Sequence, residues 1–315
     1  MQSSFHFPTS ATGPAVGWRG GAIPVGFSER PVQAMPQPSL DGYRIDRIIG
    51  AGRAATVYLA EDLRRGGNVA LKFLKASCGQ SEVIRQGFAA ECDILSAIGH
   101  QHVVRVIEHR SGGAPCYLAM EYLGGGSLRE RMRRGIGPEQ ALALLRQAAG
   151  GLSQVHCLGV VHRDVKPENF LMRRPGELVL ADFGVAAQRG DCAARVAPGR
   201  LVGTAAYAAP EQAQGEPPDA AADVYSLGIV FYEMLRGRRP FAGATVLEAL
   251  SQHLVAPVPR LPESLAAYQA LIDRMLEKQP QLRLPDADAV LQEIECMGLE
   301  LRQHRVKESE PHRAA

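Results

Sequence analysis

The sequence predicts an α+β fold made of two unequal lobes: a small antiparallel β-sheet with one key helix, followed by a larger, mainly helical lobe. Short β-prone runs separated by glycine-containing turns fill residues 43–121, a pattern typical of antiparallel strands. Beyond the Gly124-Gly125-Gly126 triplet, apolar residues recur at the three- and four-residue spacing of amphipathic helices. No internal repeat interrupts this order.

The same patterns divide the chain into four parts. Residues 1–40 are rich in Pro, Gly, Ser and Ala, and their apolar residues stand singly, so we expect a disordered arm that buries too little surface to offset its ordering entropy. We expect the N-terminal lobe to cover residues 43–123, the C-terminal lobe residues 124–298 and a polar tail residues 299–315. Trp18, the only tryptophan, is either an incidental residue of the arm or an anchor that docks.

The composition indicates a globular protein without a highly charged partner. The formal net charge is only +2 and no long Lys/Arg block is present, which predicts no nucleic-acid partner. No apolar run reaches the roughly 18 residues that span a bilayer, and Gln2 replaces the glycine needed for N-myristoylation, so we expect no membrane insertion. The six cysteines lack the spacing of a zinc site or a disulfide framework, which favours a reducing, cytoplasmic location.

Five strands and one helix are expected in the N-terminal lobe. The predicted strands cover Tyr43–Ile49, Thr56–Glu61, Asn68–Leu74, Val103–His109 and Cys116–Glu121. Between the third and fourth strands, Phe88, Glu91, Leu95 and Ile98 are spaced by three, four and three residues. This spacing places the Glu91 carboxylate on the apolar face of a helix, directed towards the sheet.

Lys72 is a second charged residue in an apolar setting. It ends the run Val69-Ala70-Leu71-Lys72 on the third predicted strand. A buried ammonium group is costly unless it is paired, so we expect an ion pair between Lys72 and Glu91. The other candidate partner, Glu82, lies at the start of the helix, where a carboxylate instead favours the helix dipole.

The C-terminal lobe is predicted to be mainly helical. Pro138 is suited to the first turn of a helix, and Gly159 is suited to its end. Between them lies a helical series of apolar residues, Ala141, Leu144, Leu145, Ala148, Leu152 and Val155. Further helices are predicted near residues 223–235, 245–253, 266–276 and 286–301, with a frayed segment from about Arg302.

The motifs that carry chemistry lie in this lobe. Residues 162–169 read His-Arg-Asp-Val-Lys-Pro-Glu-Asn, and Asp182-Phe183-Gly184 begins thirteen positions after Asn169. Chance agreement at the six positions of the first motif is on the order of one in 10^5 for a chain of this length. Two sets of acidic and amide groups therefore flank one short predicted hairpin, an arrangement suited to phosphoryl transfer.

On these motifs the chain resembles the eukaryotic-like protein kinase family of bacteria, over about residues 43–298. The resemblance implies the bilobal protein kinase fold, a cleft between the lobes and ATP with Mg²⁺ as cofactors. By the same resemblance Asp164 is the catalytic base, and Lys166 neutralises charge on the transferred group. Lys166 two residues after the aspartate is typical of the branch that acts on Ser and Thr.

The remaining charge and metal roles also come from the resemblance. Lys72 holds the α- and β-phosphates, and Glu91 orients Lys72. Asn169 and Asp182 are the expected Mg²⁺ ligands, because they supply the hard oxygen atoms that this ion prefers. Phe183 is expected to pack between the helix that carries Glu91 and the catalytic loop.

The resemblance also implies a nucleotide pocket. Glycine-rich residues at the first hairpin let backbone amides approach phosphates, and apolar residues hold adenine. The implied pocket residues are Ile49, Gly50, Ala51, Gly52, Val57, Ala70, Lys72, Met120, Glu121, Leu123 and Leu171. Ala55 departs from the family pattern, which has a third glycine there, so we expect a stiffer loop.

The segment after the metal motif resembles the substrate-docking stretch of the family, with Ala205 where proline is common. Thr204 is expected to bridge Asp164 and Lys166, which favours Ser/Thr substrates. Two scaffold contacts are implied as well: an internal pair between Glu211 and Arg283, and bonds from Asp223 to the backbone amides of the catalytic loop.

The loop between Gly184 and Gly203 contains no Ser, Thr or Tyr. By the resemblance, Arg163 is the residue that in many relatives pairs with a phosphate added to this loop. In this chain Asp191 is the only acidic residue there. We therefore expect a loop that is not switched by its own phosphorylation, apart from Thr204. Cys192 is either an inert exposed thiol or a redox handle.

These observations predict a Ser/Thr protein kinase whose partners are protein substrates with Ser or Thr acceptors. A phosphatase or a phosphothreonine-reading protein is a further candidate partner. One alternative is a pseudokinase-like scaffold that binds protein partners. It is favoured by Ala55, Ala205 and the hydroxyl-free loop. The other alternative is a kinase of small molecules, which usually lacks the stretch from Gly203 to Glu211.

Overall fold

The computed structural model describes residues 38–79, 81–188 and 205–309, with side chains up to residue 298. Two lobes are evident, a five-stranded sheet with one long helix and a larger helical lobe. The predicted α+β class is therefore confirmed. The expected arm at residues 1–40 lies almost entirely outside the described residues.

The sheet of the N-terminal lobe is antiparallel throughout, with the order β1-β2-β3-β5-β4. Its strands are β1 (Tyr43–Ala51), β2 (Ala55–Asp62), β3 (Asn68–Leu74), β4 (Val106–Arg110) and β5 (Tyr117–Glu121). The predicted start of the fourth strand at Val103 was wrong. Val103 and Val104 are buried in the main core, where Val104 N–H donates to Leu180 O at 2.9 Å, so they leave the sheet and join the other lobe.

Helix α1 (Glu82–Ala97) packs one face into the core. Its buried residues are Phe88, Glu91, Cys92, Ile94 and Leu95. The predicted inward direction of Glu91 is confirmed, since only 4% of this residue is exposed. A carboxylate on this apolar face needs a cationic partner, and the partner is described with the site below.

Seven helices of eight described ones lie in the C-terminal lobe. They are α2 (Leu128–Arg133), α3 (Pro138–Cys157), α4 (Pro210–Gln214), α5 (Ala220–Arg236), α6 (Val246–Val255), α7 (Gln269–Met275) and α8 (Ala287–Ser309). Pro138 begins α3, as predicted. Ser127 caps α2 in a reciprocal pair of bonds with Glu130. Helix α5 is buried from Ala220 to Met234, which makes it the central rod of this lobe.

Helix α8 continues eight residues beyond Leu301, where the sequence predicted a frayed segment. The reason is local: residues 302–309 contain neither proline nor glycine, and Gln, Arg, Lys and Glu favour helices. The predicted helix over residues 266–276 is also divided, because a 3₁₀ segment, Glu263–Tyr268, precedes α7.

Two short antiparallel pairs shape the boundary between the lobes. One joins β6 (Val160–Val161) to β9 (Ala187–Gln188), and the other joins β7 (Phe170–Arg174) to β8 (Glu177–Leu180). The catalytic and metal motifs predicted from the sequence lie in the loops between these strands. In the described part of the chain, no helix has both the length and the apolar character needed to cross a membrane.

His253, on α6, is an enclosed histidine among cationic side chains. It is fully buried, and its Nδ1 lies 3.1 Å from the Tyr225 hydroxyl. Lys278 Nζ donates to the His253 carbonyl at 2.8 Å. Burial, with the charges of Lys278 and Arg239, lowers the pKa of His253 to about 4 from an ordinary 6.5.

We expect this histidine to make folding sensitive to acid. Between pH 6.5 and about 4 the unfolded chain binds a proton at His253 that the folded chain does not, so stability falls as the pH falls through this window. The full shift corresponds to about 3 kcal/mol. Urea unfolding at pH 7 and pH 4.5 should show a smaller acid loss in His253→Asn than in the native chain. Equal losses would refute the assignment.

Candidate active site

The catalytic loop is held in an unusual backbone conformation. Arg163 and Asp182 have φ angles of 67° and 59°, in the left-handed region that non-glycine residues rarely adopt. Such strained residues persist where the surroundings fix them, and they cluster at functional sites. Both strained positions flank the same short hairpin, β7–β8.

Asp223 supplies the constraint on one side. Its carboxylate accepts from the amides of His162 at 2.7 Å and Arg163 at 2.8 Å, as the sequence predicted. Burial opposes the charge of Asp223, but a hydrogen bond and charge from His156 and these amides hold its pKa below the ordinary value. The carboxylate therefore stays ionised and fixes the loop that ends at Asp164.

Asp164, Lys166 and Asn169 form a compact group beyond this anchor. Lys166 Nζ lies 2.5 Å from Asp164 Oδ2, and Asn169 Nδ2 donates to Asp164 O at 2.8 Å and Oδ2 at 3.1 Å. The 3₁₀ turn Pro167–Asn169 brings the amide back towards the aspartate. Asp164 is therefore oriented by one ammonium and one amide group.

The N-terminal lobe contributes Lys72 to the same cleft. Lys72 Nζ lies 2.6 Å from Glu91 Oε1 and 3.3 Å from Asp182 Oδ1. The predicted pairing of Lys72 with Glu91 is thus present, whereas Glu82 contacts Arg85 and Gln86 at the helix start. Desolvation lowers the pKa of Lys72, but the two carboxylates outweigh it and raise that pKa above its usual value.

Asp182 faces the cleft, because 55% of its side chain is exposed. Desolvation would raise its pKa, but Lys72 and then His162 hold the pKa below the ordinary value. Phe183 is turned inward, with its ring 4.8 Å from that of His162. A Cβ added at Gly184 would approach Asp182 Oδ1 to 3.3 Å and Lys72 Nζ to 3.7 Å. Glycine at this position therefore keeps the space beside both groups open.

The registers of the sheet pair several of the expected pocket residues across neighbouring strands. Gly50 pairs with Val57, Val57 with Lys72, and Ala70 with Met120. Leu171, on β7, forms an antiparallel β-bridge to Ser127, the residue that caps α2. Ile49 and Glu121 are partly buried, and Leu123 is buried. Gly50, Val57, Ala70, Lys72 and Met120 thus lie at paired positions of neighbouring strands in one sheet.

The glycines of the first hairpin have no structural requirement of their own. Neither Gly50 nor Gly52 has a positive φ angle. A Cβ at either would meet its nearest neighbour at 3.6 Å, an ordinary contact. Ala51 is exposed, and Lys75 Nζ donates to Gly52 O at 2.7 Å, which ties the hairpin tip to β3. Folding alone would tolerate alanine at both glycines.

Arg173 anchors Glu121, which lies just before the glycine link between the lobes, and the sequence did not predict this contact. Arg173 donates to Glu121 at 3.0 and 2.8 Å, and also to Gln101 O at 2.9 Å. Glu121 Oε1 in turn accepts from the Arg105 amide at 2.9 Å. Partners 52 residues apart give no local signal, although the alternation along β7 placed Arg173 opposite the buried Met172.

A second missed group centres on Arg129. This arginine contacts Glu168 at 2.8 Å, Glu233 at 2.8 Å and the Tyr207 hydroxyl. The Tyr207 hydroxyl also donates to Glu233 Oε2 at 2.6 Å. Desolvation lowers the pKa of Arg129, but the hydrogen bonds to Glu233 and Glu168 outweigh it and raise that pKa above its usual value. The group ties the catalytic loop to α5 and to the docking stretch.

The docking stretch is described from Ala205 onward. The predicted pair of Glu211 and Arg283 is confirmed, with two parallel bonds of 2.8 and 3.0 Å and almost no exposure. Ala205 is buried, with 3% exposed. Three expectations lie outside the described residues: those for Thr204, Asp191 and Cys192.

The cleft residues suit a hard divalent cation and a polyphosphate. Asn169 uses its Nδ2 for Asp164, and its Oδ1 makes no hydrogen bond to residues 38–79, 81–188 or 205–298. The Asp182 carboxylate is ionised and exposed to the cleft. Oxygen donors of this kind match Mg²⁺, which keeps part of its water shell. The Lys72 ammonium beside them matches phosphate oxygens.

The sequence was also compared with protein families and with known proteins, and both comparisons agree with the chemistry of these residues. The model of the protein kinase domain matches residues 43–294. The chain is 38% identical over 269 residues to serine/threonine-protein kinases PknA of Corynebacterium glutamicum, covering 82% of this chain and 56% of that protein. It is 37% identical over 260 residues to serine/threonine-protein kinase PknA of Mycobacterium tuberculosis, covering 79% and 60%. The chain thus spans a little over half the length of these relatives.

Proposed function

The chain belongs to the protein kinase domain family, and we propose that it transfers the γ-phosphoryl group of ATP to Ser or Thr hydroxyls of proteins. One observation carries the proposal: Asp164, Lys166 and Asn169 form one group of contacts, Lys72, Glu91 and Asp182 form a second, and the Ala181 amide beside Asp182 donates to Asn169 O at 2.8 Å. The family uses ATP and Mg²⁺, and the relatives are serine/threonine-protein kinases.

In the proposed mechanism Asp164 accepts or orients the proton of the acceptor hydroxyl. The contacts to Lys166 at 2.5 Å and Asn169 at 3.1 Å hold its carboxylate in one direction. A positioned base of this kind contributes about 10²- to 10⁴-fold to the rate. In the same mechanism Lys166 neutralises charge on the transferred phosphoryl group.

On the nucleotide side, Lys72 binds phosphate oxygens while Glu91 keeps its ammonium in place. Asn169 and Asp182 would hold Mg²⁺ through their oxygen atoms. When bound, Mg-ATP supplies the phosphoryl group and the positive charge that neutralises its oxygens. Gly50 and Gly52, which folding does not require, support a close approach of backbone to phosphate.

Purified protein incubated with Mg-ATP and a generic acceptor protein tests the proposal. We expect incorporation of phosphate at Ser and Thr that needs Mg²⁺, and incorporation at least 10²-fold lower in Asp164→Ala. A scaffold would give no transfer above the variant. A kinase of small molecules would consume ATP only with a small acceptor. Either outcome would remove the proposal.

We further propose a cytoplasmic setting and a partner that reverses or reads the product. The five cysteines in the described part of the chain, Cys78, Cys92, Cys116, Cys157 and Cys296, are free thiols, which supports a reducing compartment. Phosphate monoesters hydrolyse extremely slowly without a catalyst. A protein phosphatase must therefore act on the same substrates if the signal is to end, and a phosphothreonine-reading protein would detect it.

A further inference from the structure

A pocket outside the nucleotide cleft lies where α5 ends and α6 packs against the following loop. Its volume is about 570 Å³, within the range of pockets that take small groups. The lining residues are Tyr232, Glu233, Arg238, Arg239, Pro240, Ala242, Gln252 and Pro259. Three of them carry charge, and two of these three are arginines.

The single carboxylate of this pocket is already engaged. Glu233 Oε1 contacts Arg129 Nη1 at 2.8 Å, and its Oε2 accepts from the Tyr207 hydroxyl at 2.6 Å. Arg238 and Arg239 are exposed and make no hydrogen bond or ion pair with any residue of the described ranges. The pocket therefore offers two available guanidinium groups against one carboxylate that Arg129 neutralises.

The pocket is connected to the catalytic loop by direct contacts. Arg129 joins Glu233 to Glu168 at 2.8 Å, and Glu168 lies in the turn that follows Lys166. Tyr207 joins the same group to the docking stretch. Glu233, which lines the pocket, is thus two side-chain contacts away from the catalytic loop.

We propose that the Arg238 and Arg239 pocket binds an anionic side chain of the protein substrate that flanks the acceptor hydroxyl. Guanidinium groups match carboxylate and phosphate oxygens through paired donors. Glu233, the carboxylate of the pocket, has both oxygens engaged by Arg129 and Tyr207, so the two arginines supply the charge that this pocket offers to a ligand. The inference rests on the proposed function and names the class of substrate.

The test uses serine peptides in which each flanking position is changed in turn to Glu, phosphoserine, Gln or Lys. The full-length chain is compared with Arg238→Glu/Arg239→Glu and with Arg146→Glu, an exposed arginine of α3 that serves as a charge-matched control. At one flanking position we expect about a tenfold preference for an anion over Gln, mostly in KM. The phosphoserine arm shows whether phosphate or carboxylate is preferred.

The double variant should lose this preference and favour Lys at that position, while Arg146→Glu keeps the native preference. No position with an anion preference, or a preference that survives in the double variant, would overturn the inference. Peptide binding measured by fluorescence anisotropy without ATP separates the two proposals. If no peptide is phosphorylated, charge-dependent binding still tests the pocket; if transfer occurs without charge dependence, only the pocket assignment fails.

Discussion

Replacing Lys72 by Met is expected to lower kcat/KM for phosphoryl transfer by about 10²- to 10³-fold, the cost of removing one charged group that stabilises the transition state. Lys72 lies 2.6 Å from Glu91 and 3.3 Å from Asp182 and is nearly enclosed. Methionine keeps most of the side-chain length and removes the ammonium. Steady-state transfer to an acceptor peptide at varied ATP concentration measures the change.

A pair of variants on α1 provides the control. Glu91→Gln should reproduce part of the loss, because it removes the carboxylate that orients Lys72. Glu82→Gln, on the same helix but in contact only with Arg85 and Gln86 among the residues described, should leave transfer within about twofold. If Glu82→Gln matched Glu91→Gln, the orientation of Lys72 would not be the cause.

Breaking the buried pair of Glu211 and Arg283 is expected to destabilise the chain by about 3–5 kcal/mol. Arg283 is 0% exposed on its side chain, and it also donates to the carbonyls of Glu277, Lys278 and Ala221. Arg283→Met therefore leaves one buried carboxylate and three carbonyl groups without their cation. Urea unfolding at pH 7 measures the loss.

Two further variants identify the cause of that loss. Arg133→Met changes an exposed arginine of α2 and should shift the free energy of unfolding by no more than about 0.5 kcal/mol. Glu211→Met/Arg283→Met replaces both charges by apolar groups and should recover part of the loss. A double variant as unstable as Arg283→Met would show that the stranded carboxylate is not the main cost.

Much of this architecture could be predicted from the sequence because its signals are local. The spacing of Phe88, Glu91 and Leu95 identified a helix with an inward carboxylate, and Pro138 marked the start of α3. The two motifs of the catalytic loop are each contiguous, so their residue types could be recognised without knowledge of the fold.

What could not be predicted depends on contacts between distant residues. Arg129 reaches Glu233 across 104 positions, and Arg173 reaches Glu121 across 52. The local sequence around each arginine is typical of a solvated surface residue. The sequence also predicted that a strand begins at Val103, because β-branched residues favour strands. Contacts with β8 instead hold Val103 and Val104 in the other lobe.

The most direct test of the account is the rate of a single turnover with Asp164→Asn, measured beside nucleotide affinity. Asparagine keeps the size of the side chain and removes its ability to accept a proton, while Lys72 and Asp182 are untouched. We predict Mg-ATP binding within about threefold of the native chain and phosphoryl transfer slowed by about 10²-fold or more. Transfer within about tenfold of the native rate, with binding intact, would contradict the central role assigned to Asp164.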